Sequence, residues 1–183
     1  MKNFLKEAII TLALVVVIFF GARAAVQTYE VFQNSMLPNF YEGQRVVVNK
    51  AAYWFGDPQR GDVVILKAPS GVDENWIKRI IGLPGDKVSV SSGVTYVNGV
   101  ALEEPYVINP FTYSLPECAV PPDSYFFLGD NRNASNDSSK GWLLPREDVI
   151  GKAWLISWPP KDWSVVPEYD LEQQLTAAAN QSS

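Results

Sequence analysis

The first 26 residues differ from the rest of the chain and constrain how it can fold. Residues 8–22 contain one polar side chain, and basic residues flank them at Lys6 and Arg23. As a helix, this run rises about 22 Å, which is short of the roughly 30 Å hydrocarbon core of a bilayer. Extending the helix through Val26, with the flanking basic side chains reaching toward the lipid headgroups, closes the gap. The sequence therefore predicts a membrane-spanning anchor.

A second interpretation of this segment stays open. A basic start, an apolar run and the sequence Ala22-Arg23-Ala24 are also typical of a cleavable export signal. If the segment is retained, Lys2 and Lys6 precede it and only Arg23 follows closely, so the positive-inside rule places the amino terminus in the cytoplasm. The remainder of the chain then lies on the outer side of the membrane.

The residues after the anchor have a pattern typical of β-structure. Short β-branched or aromatic runs are separated by Gly, Pro, Asn or Asp. The predicted strands are residues 46–48, 63–66, 76–81, 88–90, 95–97, 125–128 and 153–158. Asn98-Gly99, after one of these runs, indicates a tight turn. The predicted fold class is mainly β: a compact antiparallel β-sheet domain with one N-terminal transmembrane helix.

Changes in composition predict the domain boundaries. The anchor occupies residues 1–26 and the β-rich domain residues 27–158. No stretch after the anchor has the period of a long helix, and residues 103–123 are rich in Pro and predicted to be irregular. Residues 159–183 are polar and acidic, so they are predicted to form a loosely held tail.

The composition excludes several kinds of chemistry. The chain has no His and a single Cys, Cys118. A Ser-His-Asp triad, a Cys-His dyad, a His-bearing zinc site and an intramolecular disulfide are therefore impossible. A general base must be Lys, Asp, Glu or Tyr. The net charge of -5 argues against a broad nucleic-acid-binding surface, and neither a metal nor another cofactor is predicted.

Two segments offer a nucleophile and a base. In a strand over residues 76–81, alternation places Lys78 on one face with Trp76 and Ile80. Apolar neighbours disfavour the ammonium form, so a Lys in this setting can become a base near neutral pH. Ser35 is the matching hydroxyl. Taken singly, each residue is also typical of ordinary structure: a strand Lys whose head reaches water, and a Ser in a loop.

Four motifs follow one another along the chain after the apolar segment. Ser35-Met36-Leu37-Pro38 comes first, and Arg60-Gly61-Asp62-Val63-Val64 second. Residues 78–86 then read Lys-Arg-Ile-Ile-Gly-Leu-Pro-Gly-Asp, and residues 129–138 read Gly-Asp-Asn-Arg-Asn-Ala-Ser-Asn-Asp-Ser. In this order, the motifs resemble those of type I signal peptidases. The resemblance implies a membrane-anchored, mostly β serine protease that removes signal peptides from exported preproteins through a Ser/Lys dyad.

The resemblance also implies roles for individual residues. Ser35 matches the nucleophile, and Lys78 matches the general base, a neutral amine. Ser135 matches the hydroxyl that orients this Lys, the third member that nucleophile and base pairs usually need. The polar scaffold of the last motif is matched by Asp130, Arg132 and Asp137.

The first departure from the family pattern lies before the nucleophile. Many members have Ser two residues before it, where this chain has Gln33. We predict that the Gln33 amide or a backbone donor joins the Ser35 N–H in the oxyanion hole. Phe32 stands where the family commonly has Pro, which changes the wall of the substrate groove.

The other departure lies in the last motif. Asn133 and Ser139 stand where many relatives carry Asp and a basic residue. The ion pairing behind Ser135 is therefore predicted to be altered or displaced to Lys140.

The resemblance further implies a substrate class, partners and a location. The family selects small side chains at the first and third positions before the cut, the Ala-x-Ala pattern, and Met36, Trp76 and Ile77 match positions that line the first pocket. Trp54 and Phe55 match a surface that dips into the bilayer, with core packing as the alternative. The implied partners are preproteins and the lipid bilayer, with no nucleic acid. The implied location is the cell (inner or plasma) membrane, with the catalytic domain on the outer side.

Two other functions remain as alternatives. The changes at Gln33, Asn133 and Ser139 are compatible with an anchored non-catalytic binding or assembly module on the same fold, although the presence of both Ser35 and Lys78 argues against it. A self-cleaving Ser/Lys peptidase of the phage-repressor kind is disfavoured, because those proteins are soluble and carry DNA-binding segments that this sequence lacks.

Overall fold

The structure is a computed structural model that describes residues 2–69, 71 and 73–181. Met1 of the predicted anchor and the last two residues of the predicted tail lie outside the described residues. The side chain of Lys2, which contributes to the predicted charge asymmetry of the anchor, also lies outside them.

The described residues form two α-helices and twelve strands. The helices are α1 (Lys2–Ala25) and α2 (Leu171–Gln181). The strands are β1 (Val26–Glu30), β2 (Arg45–Asn49), β3 (Val63–Lys67), β4 (Asn75–Gly82), β5 (Lys87–Ser91), β6 (Val94–Val97), β7 (Val100–Ala101), β8 (Leu115–Ala119), β9 (Ser124–Leu128), β10 (Leu144–Pro145), β11 (Val149–Trp158) and β12 (Ser164–Val165). Short 3-10 helices lie in the connections, at Asn34–Met36, Ala51–Tyr53, Ser138–Lys140, Arg146–Asp148 and Pro160–Asp162.

These strands pair into two antiparallel sheets. Within the described residues, the larger sheet has eight strands in the order β1-β2-β11-β3-β4-β9-β10, with β12 paired to β11. The smaller sheet has the order β7-β6-β5-β8. Every strand predicted from the sequence is present, and each lies within one of the observed strands. The prediction of a mainly antiparallel β fold with an N-terminal apolar helix is confirmed.

Strand β4 lies inside the larger sheet, between β3 and β9, and is buried over residues 76–82. Its two faces belong to different parts of the core, as alternation predicts. Ile77 packs in one apolar cluster with Val46, whereas Ile80 packs in another with Phe127. Burial of both faces fixes the register of β4, because a slip of one residue would exchange them.

The prediction that residues 103–123 are irregular is wrong in part. Strand β8 forms within this range and pairs with β5, where Lys87 is opposite Ala119. The Pro that weakened the sequence signal is Pro116, in the second position of β8. Because β8 is an edge strand of the smaller sheet, the missing N–H of this Pro is tolerated.

The prediction of a loosely held tail is also wrong. Strand β12 pairs with β11, and α2 follows. Val166 is 5% exposed and Leu171 is fully buried, so the segment after residue 158 packs on the domain. The sequence signal was weak because only isolated apolar residues, such as Leu171 and Leu175, repeat at helical spacing within a polar stretch.

Helix α1 precedes the domain and has 24 residues, which corresponds to a length of about 36 Å. The side chains of residues 4–24 are exposed. Among the described residues, Phe4–Ala25 is the one helix long and apolar enough to cross a membrane. Strand β1 begins at the next residue, Val26, and pairs with β2. The chain therefore passes from the apolar helix directly into the larger sheet.

Candidate active site

Ser35 lies at the middle of the 3-10 helix Asn34–Met36. The backbone N–H of Asn131, in the loop after β9, donates to Ser35 O (2.9 Å), and its side chain donates to the preceding carbonyl (3.1 Å). Gly129 lies against the same turn, and a Cβ at this position would collide with Ser35 O and with Ser135. The backbone of Ser35 is thereby held by a second segment of the chain.

Lys78 extends from the middle of β4 to Ser35. Its Nζ is 2.7 Å from Ser35 Oγ and 3.1 Å from Ile77 O. Lys78 is 1% exposed and Ser35 is 2% exposed. The ring of Trp76, two residues earlier on the same face of β4, lies 5.2 Å from Nζ. The structure therefore brings the predicted nucleophile and the predicted base into hydrogen-bond contact, with both side chains almost fully buried.

Burial lowers the pKa of Lys78 from 10.5 to about 8, although the carboxylates of Asp137 and Asp130 act in the opposite direction. At pH 7, roughly a tenth of the Lys78 side chains then lack the ammonium proton. The neutral amine has a lone pair that can accept the proton of Ser35. The pair is chemically suited to nucleophilic attack by Ser35 with Lys78 as the base.

The residue after Lys78, Arg79, forms a buried ion pair with Asp130. Arg79 Nε donates to Asp130 Oδ1 (2.9 Å) and Nη2 donates to Oδ2 (2.8 Å). Asn39 Nδ2 donates to the same carboxylate (2.8 Å), and Arg79 Nη1 donates to Gly61 O (2.9 Å). The side chains of both charged partners are 1% exposed. This two-fold hydrogen-bonded geometry compensates the cost of burying the charges beside the candidate dyad.

Asp137 and Ser135 lie in the loop after β9 and close to Gly129. Gly129 N donates to Asp137 Oδ2 (2.9 Å), and Ser139 N donates to Oδ1 (3.0 Å). Ser135 Oγ is buried and has no hydrogen-bond partner among the described residues. The structure thus contains no hydrogen bond from Ser135 to Lys78, and the orienting role of Ser135 stays a prediction.

Arg132, predicted as part of the scaffold, pairs with a residue outside the motif. Its Nη1 donates to Glu104 Oε2 (2.8 Å) and to Thr95 Oγ1 (2.8 Å), and its Nη2 donates to Glu104 Oε1. Its Nε donates to Gly129 O (3.1 Å). Arg132 therefore joins the loop after β9 to β6 and to the connection that follows β7.

At two positions that depart from the family pattern, Asn133 and Ser139, neutral side chains form hydrogen bonds with neutral partners. Asn133 Oδ1 accepts from the N–H and the hydroxyl of Thr112 (3.1 Å each), and its Nδ2 donates to Pro110 O (2.8 Å). Lys140 lies 5.7 Å from the ring centre of Tyr113 and forms no ion pair within the described part of the chain. Of the two predicted outcomes, the described residues agree with an altered pairing, in which Asn133 forms hydrogen bonds with neutral groups, and not with displacement to Lys140.

An open groove of ≈ 540 Å³ contains the Ser35–Lys78 pair. It is lined by residues 29–33, by residues 73–77 and by Ser35, Ile65 and Lys78. The lining joins the end of β1 to the start of β4. No group of three or more His, Cys, Asp and Glu side chains is placed to hold a metal ion in the described ranges.

The predicted substrate-contacting residues separate into two sets. Trp76, Ile77, Gln33 and Phe32 line the groove, and Phe32 is 69% exposed. Met36 does not line it, because its side chain is fully buried in the apolar cluster that contains Ile77. The structure does not bring Met36 to the surface of this groove, and its assignment to the first pocket stays a prediction.

Trp54 and Phe55 follow the 3-10 helix Ala51–Tyr53. Trp54 is 53% exposed and Phe55 is 98% exposed. Phe55 therefore takes no part in the core, and the core-packing alternative fails for this residue. Contact of the two aromatic side chains with a bilayer stays a prediction.

Comparison with known protein families decides the class of the chain. A family model described as "Signal peptidase, peptidase S26" matches residues 1–158. The chain belongs to this family. Membership confirms the resemblance found in the sequence, and it confirms the prediction that the chain is an enzyme, a serine protease of the signal peptidase I class.

Individual signal peptidases are similar over most of the chain. A probable signal peptidase I-1 of Synechocystis sp. is 38% identical over 170 residues, covering 88% of this chain and 86% of the relative. A signal peptidase I of Leptolyngbya laminosa is 39% identical over 163 residues, covering 85% and 80%. A signal peptidase IB of Staphylococcus aureus is 33% identical over 178 residues, covering 87% and 92%. The crystal structure of a signal peptidase I from Enterococcus faecalis has 31% identity and a TM-score of 0.48, covering 52% of this chain and 96% of that chain.

Several residues that support the candidate site were not predicted as such. Gly129 and Asn131 belong to the last motif, so their position there was the available signal. Arg79 could have been found from its place next to Lys78 on the opposite face of a buried strand. Glu104 and Tyr169 gave no signal, because they lie in segments that the sequence indicated to be irregular or loose.

Proposed function

We propose that the chain is a membrane-anchored serine endopeptidase that removes signal peptides of the Ala-x-Ala type from exported preproteins, with Ser35 as the nucleophile and neutral Lys78 as the general base. The observation that carries the proposal is the 2.7 Å contact between Lys78 Nζ and Ser35 Oγ, with both side chains buried. Membership in the signal peptidase family supports the reaction class. The proposed mechanism uses protein groups only.

Acylation begins with proton transfer within the dyad. Ser35 Oγ attacks the scissile carbonyl while its proton moves to Lys78 Nζ. The ammonium formed on Lys78 is favoured by the carboxylates of Asp137 and Asp130, and it donates a proton to the nitrogen of the leaving amine. Water then attacks the acyl-enzyme while Lys78 accepts a proton from it, the bond between Ser35 Oγ and the acyl carbon breaks, and Lys78 returns this proton to Ser35 Oγ, which restores the hydroxyl and the neutral amine.

The developing oxyanion requires donors near Ser35. The Ser35 N–H lies in the first turn of a 3-10 helix, where backbone N–H groups are available to ligands. Gln33 is the cap residue of this helix, lines the groove and has an amide that can donate. We assign the oxyanion hole to the Ser35 N–H with the Gln33 amide.

Specificity for small residues is supported by the bulk of the groove wall near the dyad. Trp76 and Ile77 line the groove next to Lys78, and we propose that their bulk limits the side chain accepted there. Large residues at the first position before the cut are then rejected by overlap, whereas Ala is accepted. Phe32 adds an exposed apolar surface to the same groove.

Helix α1 supplies the proposed single-pass anchor. The helix is about 36 Å long, and its apolar part crosses the roughly 30 Å core of a bilayer when the flanking basic side chains reach toward the headgroups. Lys6 lies at one end and Arg23 at the other, with Lys2 adding a further basic residue to the amino-terminal end. The positive-inside rule then places the amino terminus in the cytoplasm and the catalytic domain on the outer (periplasmic or lumenal) side of the cell membrane. Trp54 and Phe55 are exposed aromatic residues suited to the interface.

Purified full-length protein in detergent, incubated with an Ala-x-Ala preprotein, tests the activity. We expect cleavage after the second Ala, identified by mass spectrometry, and no cleavage when Phe replaces that Ala. Ser35→Ala and Lys78→Met should each lower kcat at least about 1000-fold. Ser91→Ala and Lys161→Met change exposed residues of the same types and serve as matched controls. Cleavage that survives Ser35→Ala, or no cleavage by the parent, would refute the proposed activity.

The anchor is tested separately. N-terminal sequencing of the mature protein should give the original amino terminus, whereas a start at Ala25 would show that the segment is discarded. Protease digestion of intact vesicles that hold the protein should protect the amino terminus and degrade the catalytic domain from the outer side. The reverse pattern would overturn the proposed orientation.

A further inference from the structure

A segment beyond the family match is part of the folded domain. The match ends at residue 158, yet the chain after it packs on two of the apolar clusters beside the sheets. We name residues 166–175 the C-terminal clasp. Val166 lies in the cluster of the larger sheet, and Leu171, fully buried, lies in the cluster that also contains β5 residues. The clasp therefore contributes to the core although the family match does not include it.

Polar contacts fix the clasp to the domain. Glu172 Oε2 accepts from Arg60 Nε (2.9 Å), in the Arg60-Gly61-Asp62 motif. The amide of Gln174 makes two hydrogen bonds with the backbone of Glu103, accepting from its N–H (2.8 Å) and donating to its carbonyl (3.1 Å). Arg60 is itself buried, so the clasp holds a motif that lies inside the protein.

Tyr169 of the clasp lies beside the buried ion pair next to the dyad. The guanidinium of Arg79 lies 5.3 Å from the ring centre of Tyr169 and 4.0 Å from that of Tyr106. The two rings are 5.0 Å apart. Tyr169 also contacts Gly61 through its carbonyl, and a Cβ at Gly61 would collide with it. Because Gly61 O accepts from Arg79, the clasp reaches Arg79 by two routes.

We propose that Tyr169 is a positioning residue for the dyad: its ring completes the aromatic enclosure of Arg79, which keeps Asp130 paired and holds Lys78 on Ser35. The proposal rests on the proposed function, because it concerns the same site. Arg79 and Lys78 are consecutive residues of one buried strand, so a change in how Arg79 is held is transmitted to Lys78. The half-buried Tyr169 ring packs against an apolar cluster and also faces the Arg79 guanidinium. The contact with the cation is one that apolar packing alone does not require.

The expected effect of removing the Tyr169 ring on the Lys78 pKa follows from the groups that face Lys78. These are the Ser35 hydroxyl, the Ile77 carbonyl, the Trp76 ring and the carboxylates of Asp130 and Asp137. Without the Tyr169 ring, water reaches Arg79 and loosens its contact with Asp130, so more of the Asp130 charge acts on Lys78. That carboxylate raises the pKa of Lys78. A rise of about half a pH unit would lower the neutral fraction of Lys78 at pH 7 about threefold.

The first test measures kcat/KM for preprotein cleavage from pH 6 to 10 with the full-length protein in detergent. We expect Tyr169→Ala to move the acid limb of the profile to higher pH and to lower kcat/KM at pH 7 about threefold to tenfold. Tyr169→Phe keeps the ring and should retain the parent profile. Gln173→Ala, on the exposed side of α2, is the matched control and should also retain it. If Tyr169→Ala does not fold, Tyr169→Leu keeps buried volume without an aromatic face and takes its place.

The second test is independent of turnover. The Lys78 pKa is measured by NMR titration of protein with 13C-labelled lysines, with Lys78→Met to assign the resonance. A higher Lys78 pKa in Tyr169→Ala (or Tyr169→Leu), with no change in Tyr169→Phe, supports the proposal. If the parent does not cleave preproteins, the proposed function fails, and this titration still decides the role of Tyr169. If the Lys78 pKa is unchanged in Tyr169→Ala (or Tyr169→Leu), or if Tyr169→Phe shifts it equally, the positioning role of Tyr169 is overturned, whatever the melting temperature shows.

Discussion

Replacing Lys78 by Met should stabilise the folded protein at pH 7, and the gain should disappear as the pH rises. Burial lowers the pKa of Lys78 to about 8 in the folded protein, whereas its ordinary value is 10.5. At a pH below both pKa values, this difference lowers the free energy of unfolding of the parent by about 3 kcal/mol. Met has no charge to bury, although the Ser35 hydroxyl loses a partner at a cost of about 1 kcal/mol. The expected net gain at pH 7 is therefore about 2 kcal/mol.

The sign of the pH dependence follows from proton binding. Between pH 8 and 10.5 the unfolded chain holds the Lys78 proton and the folded protein does not. The stability of the parent relative to Lys78→Met should therefore rise by about 1.4 kcal/mol per pH unit across this window, and stay constant below it. The offset from packing and from the lost hydrogen bond does not affect this slope.

Guanidinium unfolding of both proteins in one detergent, followed by Trp fluorescence at pH 7, 8, 9 and 10, measures the difference. Other titrating groups are common to both proteins and cancel. Lys161→Met removes an exposed Lys and should show no such slope. A difference between parent and Lys78→Met that stays constant from pH 7 to 10, or that changes in the opposite direction, would refute the assignment of a depressed pKa to Lys78 and with it the neutral-base mechanism.

Three further predictions concern the neighbours of the dyad. Asp137→Asn removes a carboxylate that favours the Lys78 ammonium, so the acid limb of kcat/KM should move to lower pH; a limb that stays in place would contradict this. Gly129→Ala places a methyl group against Ser35 O and Ser135, so kcat should fall about 100-fold or more while circular dichroism keeps the parent spectrum; near-normal turnover would show that the turn can shift freely. Gln33→Ala should lower turnover about 10-fold or more without moving the acid limb, and an unchanged rate would remove Gln33 from the mechanism.

The local sequence pattern was sufficient to predict the main strands of the larger sheet. In β2, Val46 and Val48 are fully buried, whereas Val47 is half-buried, so a β-branched run between turn residues predicted the element. It was insufficient where neighbours decide the structure. Strand β8 contains Pro116 and forms because β5 offers an edge, and α2 forms because Leu171 finds an apolar cluster. Neither partner can be identified from the segment itself.

The candidate site also combines residues that the local sequence predicts with residues that depend on distant segments. Alternation in β4 correctly placed Lys78 and Trp76 on one face, and the motif order identified Ser35 as the hydroxyl that Lys78 reaches. The supports come from distant positions: Glu104 pairs with Arg132, and Tyr169 lies beside Arg79. Such pairings depend on how separate segments are brought together, which no spacing in the sequence records.

The proposed mechanism requires a neutral base, Lys78, beside two carboxylates, and the hydrogen bonds of those carboxylates explain how this is possible. Asp130 accepts two bonds from Arg79 and one from Asn39, and Asp137 accepts two backbone N–H donors. Since each carboxylate is already compensated, its pull on the Lys78 proton is reduced, and burial remains the larger effect on the Lys78 pKa. In the proposed mechanism, the same two carboxylates stabilise the ammonium that forms when the proton of Ser35 moves to Lys78. The proposed change of Lys78 from base to acid therefore requires no new partner for the ammonium.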